Sequence, residues 1–284
     1  MRIRALLQFF LLSAVLLAPV LAEEDIPAGD FNFVYSAILG TGFYSVGDER
    51  VLILQLPLAW KFAPLDDRNS LKLLLPVSLG VRNIIGEDGD FEVPDQLLTF
   101  SFLPGVAWER KQAEKWLLVP IVQLGGAKDM QSDAEAWLFS ASLRSFAWWD
   151  IGKHRLGLGN RVLGAGQFAG TTRNKTGFML LENGLDWNYS LPWHWRGDPL
   201  SSSVFLMWKH YADDVNIDAV SGETLGLENV YSIGFTFGVR REAKPLWKYL
   251  PIRRAGIAFG VGNTINGGDF KSITFNLGFP LSYH

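Results

Sequence analysis

The 284-residue chain contains no cysteine, which excludes disulfide bonds, thiol nucleophiles, cysteine metal ligands and a lipid anchor on an N-terminal cysteine. It also lacks an excess of one charge, because 26 Lys and Arg residues stand against 29 Asp and Glu residues, a net charge of −3. Nothing in this balance points to nucleic acid as a partner. These two absences argue against thiol-based enzymes, cysteine metal sites and nucleic-acid-binding proteins.

Long apolar runs are missing except at the N-terminus. After residue 22, no segment reaches the roughly 18 uncharged apolar residues that a transmembrane helix needs. The first 22 residues instead have the parts of a secretory signal, namely a basic start, an apolar run from Leu6 to Leu17 and a cleavage site that ends at Ala22. We expect a signal peptide at 1–22 and one mature domain at 23–284, with an uncleaved anchor helix as the alternative.

The C-terminal segment Phe270–Tyr283 alternates with a period of two. One face carries Ile273, Phe275, Leu277, Phe279, Leu281 and Tyr283, and the other carries Ser272, Thr274, Asn276, Gly278, Pro280 and Ser282. This alternation predicts a β-strand with one apolar and one small, polar face. The strand is longer than the usual ~5–6 residues and suits a tilted crossing of a lipid bilayer. Backbone groups in lipid must be paired, so such strands occur in closed barrels.

The rest of the mature chain supplies the neighbours that a barrel requires. We predict twelve strands, at 31–44, 51–62, 70–82, 97–110, 114–126, 134–149, 153–168, 176–190, 201–213, 228–241, 254–264 and 270–283. Their non-apolar faces are rich in Gly, Ser, Thr and Asn, which suits a crowded interior better than a solvent face. The sequence therefore predicts an all-β fold, a closed antiparallel up-and-down transmembrane β-barrel, with a soluble barrel or sandwich as the alternative.

Four prolines interrupt the predicted strands without changing the phase of the alternation. They are Pro57, Pro76, Pro104 and Pro120. Since proline cannot donate a hydrogen bond to a neighbouring strand, each of them predicts a bulge or a weakened strand.

Tryptophan clusters at one end of the predicted barrel. With both chain ends in the periplasm, nine of the eleven tryptophans lie near the periplasmic turns, namely Trp60, Trp108, Trp116, Trp148, Trp149, Trp187, Trp193, Trp195 and Trp247. Tryptophan prefers the membrane–water interface. These residues therefore predict an aromatic girdle.

The signal, the twelve alternating segments, the girdle and the aromatic last strand together resemble bacterial outer-membrane β-barrels. Over residues 23–284, the chain looks most like the solitary autotransporter-like barrels, which have about twelve strands and no passenger domain. The resemblance implies outer-membrane localisation, contact with membrane lipid and lipopolysaccharide, and insertion by the barrel assembly machinery. It also implies a C-terminal assembly signal at Phe279 and Tyr283, although His284 follows where such barrels usually end in an aromatic residue.

Histidine is scarce, and this bears on catalysis. Outer-membrane phospholipases and lipid A deacylases resemble each other in an H-x-S pair, but Leu156, Arg196 and Ala212 stand two residues after His154, His194 and His210. The nucleophile–base pair of a serine hydrolase therefore has no local support. We expect no enzymatic activity, no catalytic residues, no cofactor and no bound metal.

Three charged segments lie outside the predicted strands. The acidic loops 87–95 and 213–228 are either solvated or weak sites for divalent cations that bridge to lipopolysaccharide. The basic turn 241–254 is either interfacial or a docking surface for a periplasmic partner. The sequence leaves these alternatives open.

The predicted inward faces carry more positive than negative charge. The lumen residues are Lys61, Lys72, Arg82, Arg144, Arg155, Arg161, Lys209 and Arg240, against Glu109, Glu182 and Asp186. Centring the loop 169–175 sets Arg161 opposite Glu182 across neighbouring strands, where opposite charges attract. The first functional hypothesis is a narrow diffusion channel for small solutes, with anions preferred. The alternatives are a closed structural or surface-interaction barrel and, with least support, a lipid hydrolase. The sequence does not specify an oligomeric state.

Overall fold

The computed structural model describes residues 37–46, 49–62, 64–82, 98–130, 133–169, 175–218, 224–239, 254–264 and 269–282. The predicted signal peptide, the acidic loop 87–95, Arg240, Trp247, Tyr283 and His284 lie outside these ranges, as do the side chains of Arg82 and residues 213–218. Within the described ranges, no helix is long and apolar enough to cross a membrane.

Hydrogen bonds join thirteen strand segments into one antiparallel sheet. In chain order they are β1 (Gly42–Val46), β2 (Glu49–Lys61), β3 (Asn69–Arg82), β4 (Leu98–Phe102), β5 (Gly105–Ala113), β6 (Trp116–Asp129), β7 (Glu135–Ile151), β8 (His154–Ala169), β9 (Lys175–Trp195), β10 (Asp198–Asp218), β11 (Thr224–Val239), β12 (Arg254–Thr264) and β13 (Asp269–Asn276). Because β1 pairs with β2 on one side and with β13 on the other, the sheet closes on itself.

Segments β4 and β5 form a single interrupted strand, so the barrel has twelve strands, as predicted. Both segments pair with β3 on one side and with β6 on the other. The interruption falls at Leu103 and Pro104, where proline cannot continue the ladder. Leu103 N–H instead donates to the Pro76 carbonyl (3.2 Å), and Leu124 N–H donates to the Pro104 carbonyl (3.0 Å).

The alternation in the sequence becomes an inside and an outside. On β11, for example, Tyr231, Ile233, Phe235 and Phe237 are exposed, while Gly234, Thr236 and Gly238 between them are buried. A soluble barrel would turn its apolar face inward, so the soluble alternative is wrong. The wide apolar outer surface is that of a barrel whose solvent is lipid.

The hairpin between β9 and β10 is tighter than predicted. The expected turn at 191–200 is only two residues long, Arg196 and Gly197, and the strands continue to either side of it. Both residues have positive φ, at 52° and 87°, which matches the right-handed twist of the strands they join.

The chain bends into the barrel before β1 and after β13. Residues 31–36 of the predicted strand 31–44 lie outside the described residues, and residues 37–41 precede the strand, which begins at Gly42. Gly40 has φ +84°, and the Ala37 carbonyl accepts a hydrogen bond from Gln55 Nε2 (2.7 Å). The predicted strand 270–283 ends at Asn276. Gly278, at φ +107°, then turns the chain inward, since only glycine adopts this conformation without strain.

Candidate functional site

Inward side chains divide the lumen into three layers. We call the end with the turns Gly152–Lys153 and Arg196–Gly197 the turn end, which is the predicted periplasmic end, and the opposite end the loop end. The apolar layer lies toward the loop end, the charged layer lies in the middle, and the latch layer, which contains residues of the C-terminal segment 277–282, lies toward the turn end.

The charged layer consists of Arg144, Arg161, Glu182 and Lys209, which occupy one level on β7 to β10. Arg161 is directly opposite Glu182 in the register, as predicted, and its Nε contacts Glu182 Oε2. Lys209 Nζ lies 3.4 Å from Glu182 Oε1, and Arg144 is directly opposite Arg161. Three cations thus share one carboxylate that is only 2% exposed, which leaves the layer with a net charge of +2.

A second cluster nearer the turn end is almost balanced. Glu109 Oε1 lies 2.5 Å from Lys72 Nζ, and Glu109 Oε2 lies 3.4 Å from Lys61 Nζ and accepts a hydrogen bond from Ser70 Oγ (2.6 Å). Lys72 and Glu109 are buried, whereas Lys61 is exposed. Because Lys61 reaches solvent, this cluster leaves little unbalanced charge in the barrel.

Asp186 belongs to a third polar group, with a partner that the sequence did not suggest. Ser203 Oγ and Thr236 Oγ1 are 2.8 Å apart, and Arg254 Nη2 donates to Thr236 Oγ1 (2.6 Å). Arg254, which was predicted to begin the strand 254–264 and was also counted in the basic turn, is the first residue of β12, points into the barrel and interacts electrostatically with Asp186. Arg254 has the same phase of alternation as Gly256 and Ala258, and this phase could have indicated that its side chain points into the barrel.

Arg155 lies at the rim of the turn end and not in the narrow part of the lumen. Its Nε is 2.8 Å from Asp150 Oδ1, and Lys115 Nζ is 2.9 Å from Asp150 Oδ2, with all three side chains more than a third exposed. Since β7 and β8 end here, water screens this cluster. The predicted lumen charge Arg155 therefore lies at the solvent-exposed rim of the barrel.

The latch layer is formed by Phe279 and Leu281, which are buried inside the barrel. The Phe279 ring centroid lies 5.7 Å from that of Phe205 and 6.1 Å from that of Phe146. Both residues had been placed on the lipid face of the last strand, and the turn at Gly278 reverses that assignment. Ser282 N–H donates to the Phe279 carbonyl (3.0 Å) and stabilises the bend.

Two glycines leave space for the side chains of the latch layer. A Cβ on Gly159 would lie 2.5 Å from Leu281 Cβ, and a Cβ on Gly184 would lie 2.8 Å from the Phe279 ring. Real Cβ atoms do not approach this closely. Glycine in these strands therefore permits close packing of the C-terminal segment.

The apolar layer fills the lumen on the other side of the charged layer. Its buried side chains come from strands all around the barrel and include Tyr44, Ile53, Leu138, Leu163, Phe178, Leu180, Tyr211, Leu227 and Phe270. The rings of Phe178 and Tyr211 are 6.0 Å apart and those of Tyr44 and Phe270 are 6.3 Å apart. The Tyr44 hydroxyl donates to the Leu39 carbonyl (2.7 Å), which fixes the inward-folded segment 37–41 to this layer.

A chamber of about 440 Å³ lies between the charged layer and the latch layer. The charged layer forms one wall, and Gln123, Ser140 and Ser142 extend its polar surface. Phe205, Met207 and Phe279 form an apolar wall on the side of the latch. The chamber thus combines fixed positive charge with an apolar surface.

The predicted girdle lies on the outer surface near the turn end. Trp60, Trp116, Trp149, Trp187, Trp193 and Trp195 are exposed there, and Trp108 is half-buried with the Arg110 guanidinium 5.8 Å from its ring centre. Trp148 departs from the pattern, because it points inward and stacks on Phe146 at 5.7 Å. Trp137 is exposed at the opposite end of the barrel.

The three described histidines face outward or lie at the turn end. His154 meets the edge of the Trp187 ring at 6.0 Å, His194 is exposed, and His210 stacks on Trp208 at 5.9 Å with its Nδ1 3.2 Å from Asn229 Oδ1. Over the part of the chain that the structure describes, no group of three or more His, Asp and Glu side chains could hold a metal ion.

No protein-family profile matches the chain, and no curated protein matches its sequence. Among solved structures, the β domain of the Bordetella autotransporter Brka is similar, with 12% identity and a TM-score of 0.53 over 84% of this chain and 96% of that one. At this identity the likeness shows the fold alone. LpxR from Salmonella typhimurium (11% identity, TM-score 0.42, 82% of this chain and 89% of that one) and the outer membrane channel DcaP of Acinetobacter baumannii (11%, 0.39, 81% and 64%) align less well.

The closed sheet, the apolar outer surface and the girdle agree with this comparison. The chain is a twelve-stranded antiparallel β-barrel with the fold of outer-membrane barrels.

Proposed function

We propose that this barrel is a narrow channel that prefers small anionic solutes, and that the described conformation is its closed state. The observation that carries the proposal is the charged layer, where Arg144, Arg161 and Lys209 surround Glu182 in the middle of the lumen. A ring of fixed charge in a low-dielectric passage focuses potential and favours ions of opposite sign. A net charge of +2 at this level therefore favours anions.

The closed state follows from the layers on either side. Barrels of about eight strands are filled by side chains, and those of about 16–18 strands hold open channels, so twelve strands permit either condition. Here the apolar layer fills the loop end, and Phe279 and Leu281 occupy part of the turn end. Passage of a solute requires that at least the apolar layer rearrange.

A barrel with a permanently closed lumen is the second candidate. The dense packing of the apolar layer favours it, because a cluster buried on all sides resembles a structural core. In this candidate the charged layer is a structural bridge, and the outer surface and loops carry the function through contacts with lipopolysaccharide or partners.

We propose that neither candidate is an enzyme, because the H-x-S pair is missing at the described histidines and both His154 and His210 contact aromatic rings. We further propose that the chain contacts outer-membrane lipid and lipopolysaccharide and is inserted by the barrel assembly machinery.

Planar-bilayer recording under a salt gradient tests the channel. We expect brief openings of the wild-type barrel with a reversal potential on the anion side, and a shift toward cations in Arg144→Glu, which lowers the charge of the layer from +2 to 0. Arg155→Glu is the matched control, because Arg155 is exposed at the rim and paired with Asp150. Its reversal potential should stay close to that of the wild type.

Two results would contradict the proposal. An Arg144→Glu barrel that conducts with an unchanged reversal potential would remove anion selectivity. No openings in many insertions of folded barrel, verified by heat-modifiable migration on gels, would favour the permanently closed lumen.

A further inference from the structure

A groove on the outer surface crosses the seam between β1 and β13, where the sheet closes. Its volume of about 350 Å³ falls within the usual range of about 300–1,000 Å³ for small-molecule sites. We call it the seam groove. The outward side chains that line it are Phe43, Ser45, Arg50, Phe259, Val261, Lys271 and Ile273.

Two cations lie in the part of the seam groove that is nearer the loop end. Ser45 is directly opposite Lys271 on one neighbouring strand and Arg50 on the other. Directly opposite residues have Cβ atoms about 4.5–5.5 Å apart, so Arg50 and Lys271 are separated by about 10 Å across the small serine. Both side chains are exposed and long enough to converge on one anion above Ser45.

One acidic side chain lies beside these cations. Lys271 Nζ is 3.5 Å from Asp269 Oδ2, and both side chains are more than two-thirds exposed. An exposed ion pair contributes little, and a lysine ammonium has three donors, so Lys271 can bind a second anion while it stays close to Asp269. Arg50 has five donors in a planar fork that matches the oxygens of a phosphate.

Apolar side chains form the part of the seam groove that is farther from the loop end. Phe43, Ile273 and Phe259 occupy the next outward row of the register, two residues along each strand from the row of Lys271. All three are at least 39% exposed on the lipid-facing surface. The seam groove therefore has positive charge toward the loop end and an apolar wall toward the middle of the membrane.

This arrangement fits a lipid with a phosphate monoester head. The loop end is the predicted extracellular end, so a lipid of the outer leaflet has its head at the two cations and its chains along the apolar wall. A phosphate monoester carries a charge of about −1.5 to −2 at pH 7, which two cations balance, whereas the phosphodiester of a glycerophospholipid carries about −1. The lipid A part of lipopolysaccharide carries phosphate monoesters and belongs to the outer leaflet.

We propose that the seam groove binds the lipid A part of lipopolysaccharide. One phosphate lies between Arg50 and Lys271, and one acyl chain lies along Phe43, Ile273 and Phe259. This inference rests on the proposed contact with lipopolysaccharide and names the place of that contact. It is independent of the proposed channel, because the seam groove faces lipid and the charged layer faces the lumen.

Native mass spectrometry of the purified full-length barrel, released from neutral maltoside micelles, counts the lipids bound at each lipid concentration. The probes are lipid A, lipid A with its phosphates removed, phosphatidylglycerol and inorganic phosphate. We expect saturable binding of one lipid A per barrel and at least fivefold weaker binding of dephosphorylated lipid A and of phosphatidylglycerol. Inorganic phosphate should not bind at the same concentrations, because it has no chain to cover the apolar wall.

Substitutions of charged residues locate the phosphate. Arg50→Ser and Lys271→Ser each remove a charge-assisted contact, and each should weaken lipid A binding about tenfold. Asp269→Asn should strengthen lipid A binding, because it removes a negative charge beside the phosphate. Lys153→Ser is the matched control, since Lys153 is exposed at the turn end, and it should leave the affinity unchanged. Heat-modifiable migration verifies that each variant is folded.

A second pair of substitutions locates the acyl chain. Phe259→Ala shortens the apolar wall and should weaken lipid A binding severalfold. Phe237→Ala is its matched control, because Phe237 is exposed on the outer face of β11 and does not line the seam groove. It should bind lipid A as the wild type does.

Three outcomes would overturn the inference. Equal affinity for lipid A, its dephosphorylated form and phosphatidylglycerol would indicate general adsorption of lipid to the outer surface. Lipid A binding that Arg50→Ser and Lys271→Ser leave intact in folded barrels would remove this site and keep the proposed contact with lipopolysaccharide. A wild-type barrel that binds no lipid A would remove both. The conductance of the barrel is a separate measurement, so the proposed channel stands or fails independently of these results.

Discussion

Replacing Phe279 with alanine tests whether the C-terminal segment is held inside the barrel. The side chain is 4% exposed and packs on Phe146, Phe205 and Gly184. Removing a buried phenylalanine costs about 3–5 kcal/mol. Segment 277–282 follows β13 and belongs to no strand of the described sheet, so it can detach without unfolding the sheet. At about 3 kcal/mol, the detached fraction should rise more than a hundredfold.

Chymotrypsin reports the detached state, because segment 277–282 contains Leu277 and Leu281, which the substitution leaves in place. We expect intact-mass measurements on folded, detergent-solubilised barrel to show faster C-terminal trimming of Phe279→Ala than of wild type. Phe275→Ala is the matched control, since Phe275 lies four residues earlier, faces outward and is 49% exposed. It should be trimmed at the wild-type rate. Equal rates for Phe279→Ala and Phe275→Ala would refute the inward packing of the latch.

Two further predictions concern close packing and buried charge. Gly159→Ala should destabilise the barrel by about 1–3 kcal/mol in urea titrations, because its Cβ would meet the Leu281 Cβ. Gly126→Ala should be nearly neutral, because its Cβ would meet only the Ala136 carbonyl oxygen at 3.6 Å. Similar effects of the two substitutions would contradict the close packing of the latch layer against β8. Lys72→Met should cost about 3–5 kcal/mol, since it leaves the buried Glu109 with the exposed Lys61 and the neutral Ser70 hydroxyl as its described partners. Lys115→Met in the exposed pair with Asp150 should cost less than about 1 kcal/mol. A small effect of Lys72→Met in the same titrations would show that Glu109 is solvated.

The sequence predicted the barrel because its period of two is set by the lipid on one side and the crowded lumen on the other. It also placed Arg161 opposite Glu182, because a short loop fixes the register of the two strands it joins. Both predictions used information that is local in the chain.

The predictions failed where the apolar–polar alternation of the sequence continues but the backbone leaves the extended conformation of a strand. Phe279 and Leu281 keep the apolar phase of the last strand, and only the positive φ of Gly278, which the sequence does not reveal, turns them inward. Arg254 was predicted to begin the strand 254–264, which is confirmed, and was also counted in the basic turn 241–254. Its inward direction was not predicted, although its phase belongs to the inner face of β12. The filling of the lumen depends on contacts between strands that are distant in the chain, so alternation alone did not predict it.

The short pairing between β1 and β13 has a consequence for how the molecule assembles. Five residues of β1, Gly42–Val46, join β13, and these strands come from opposite ends of the chain. Contacts between such distant segments form late, because the intervening loop must first be closed. Residues 37–41 and 277–282 flank this seam and lie inside the barrel. Both segments must therefore enter the lumen before or while the seam closes, so closure of the barrel and filling of its lumen are coupled.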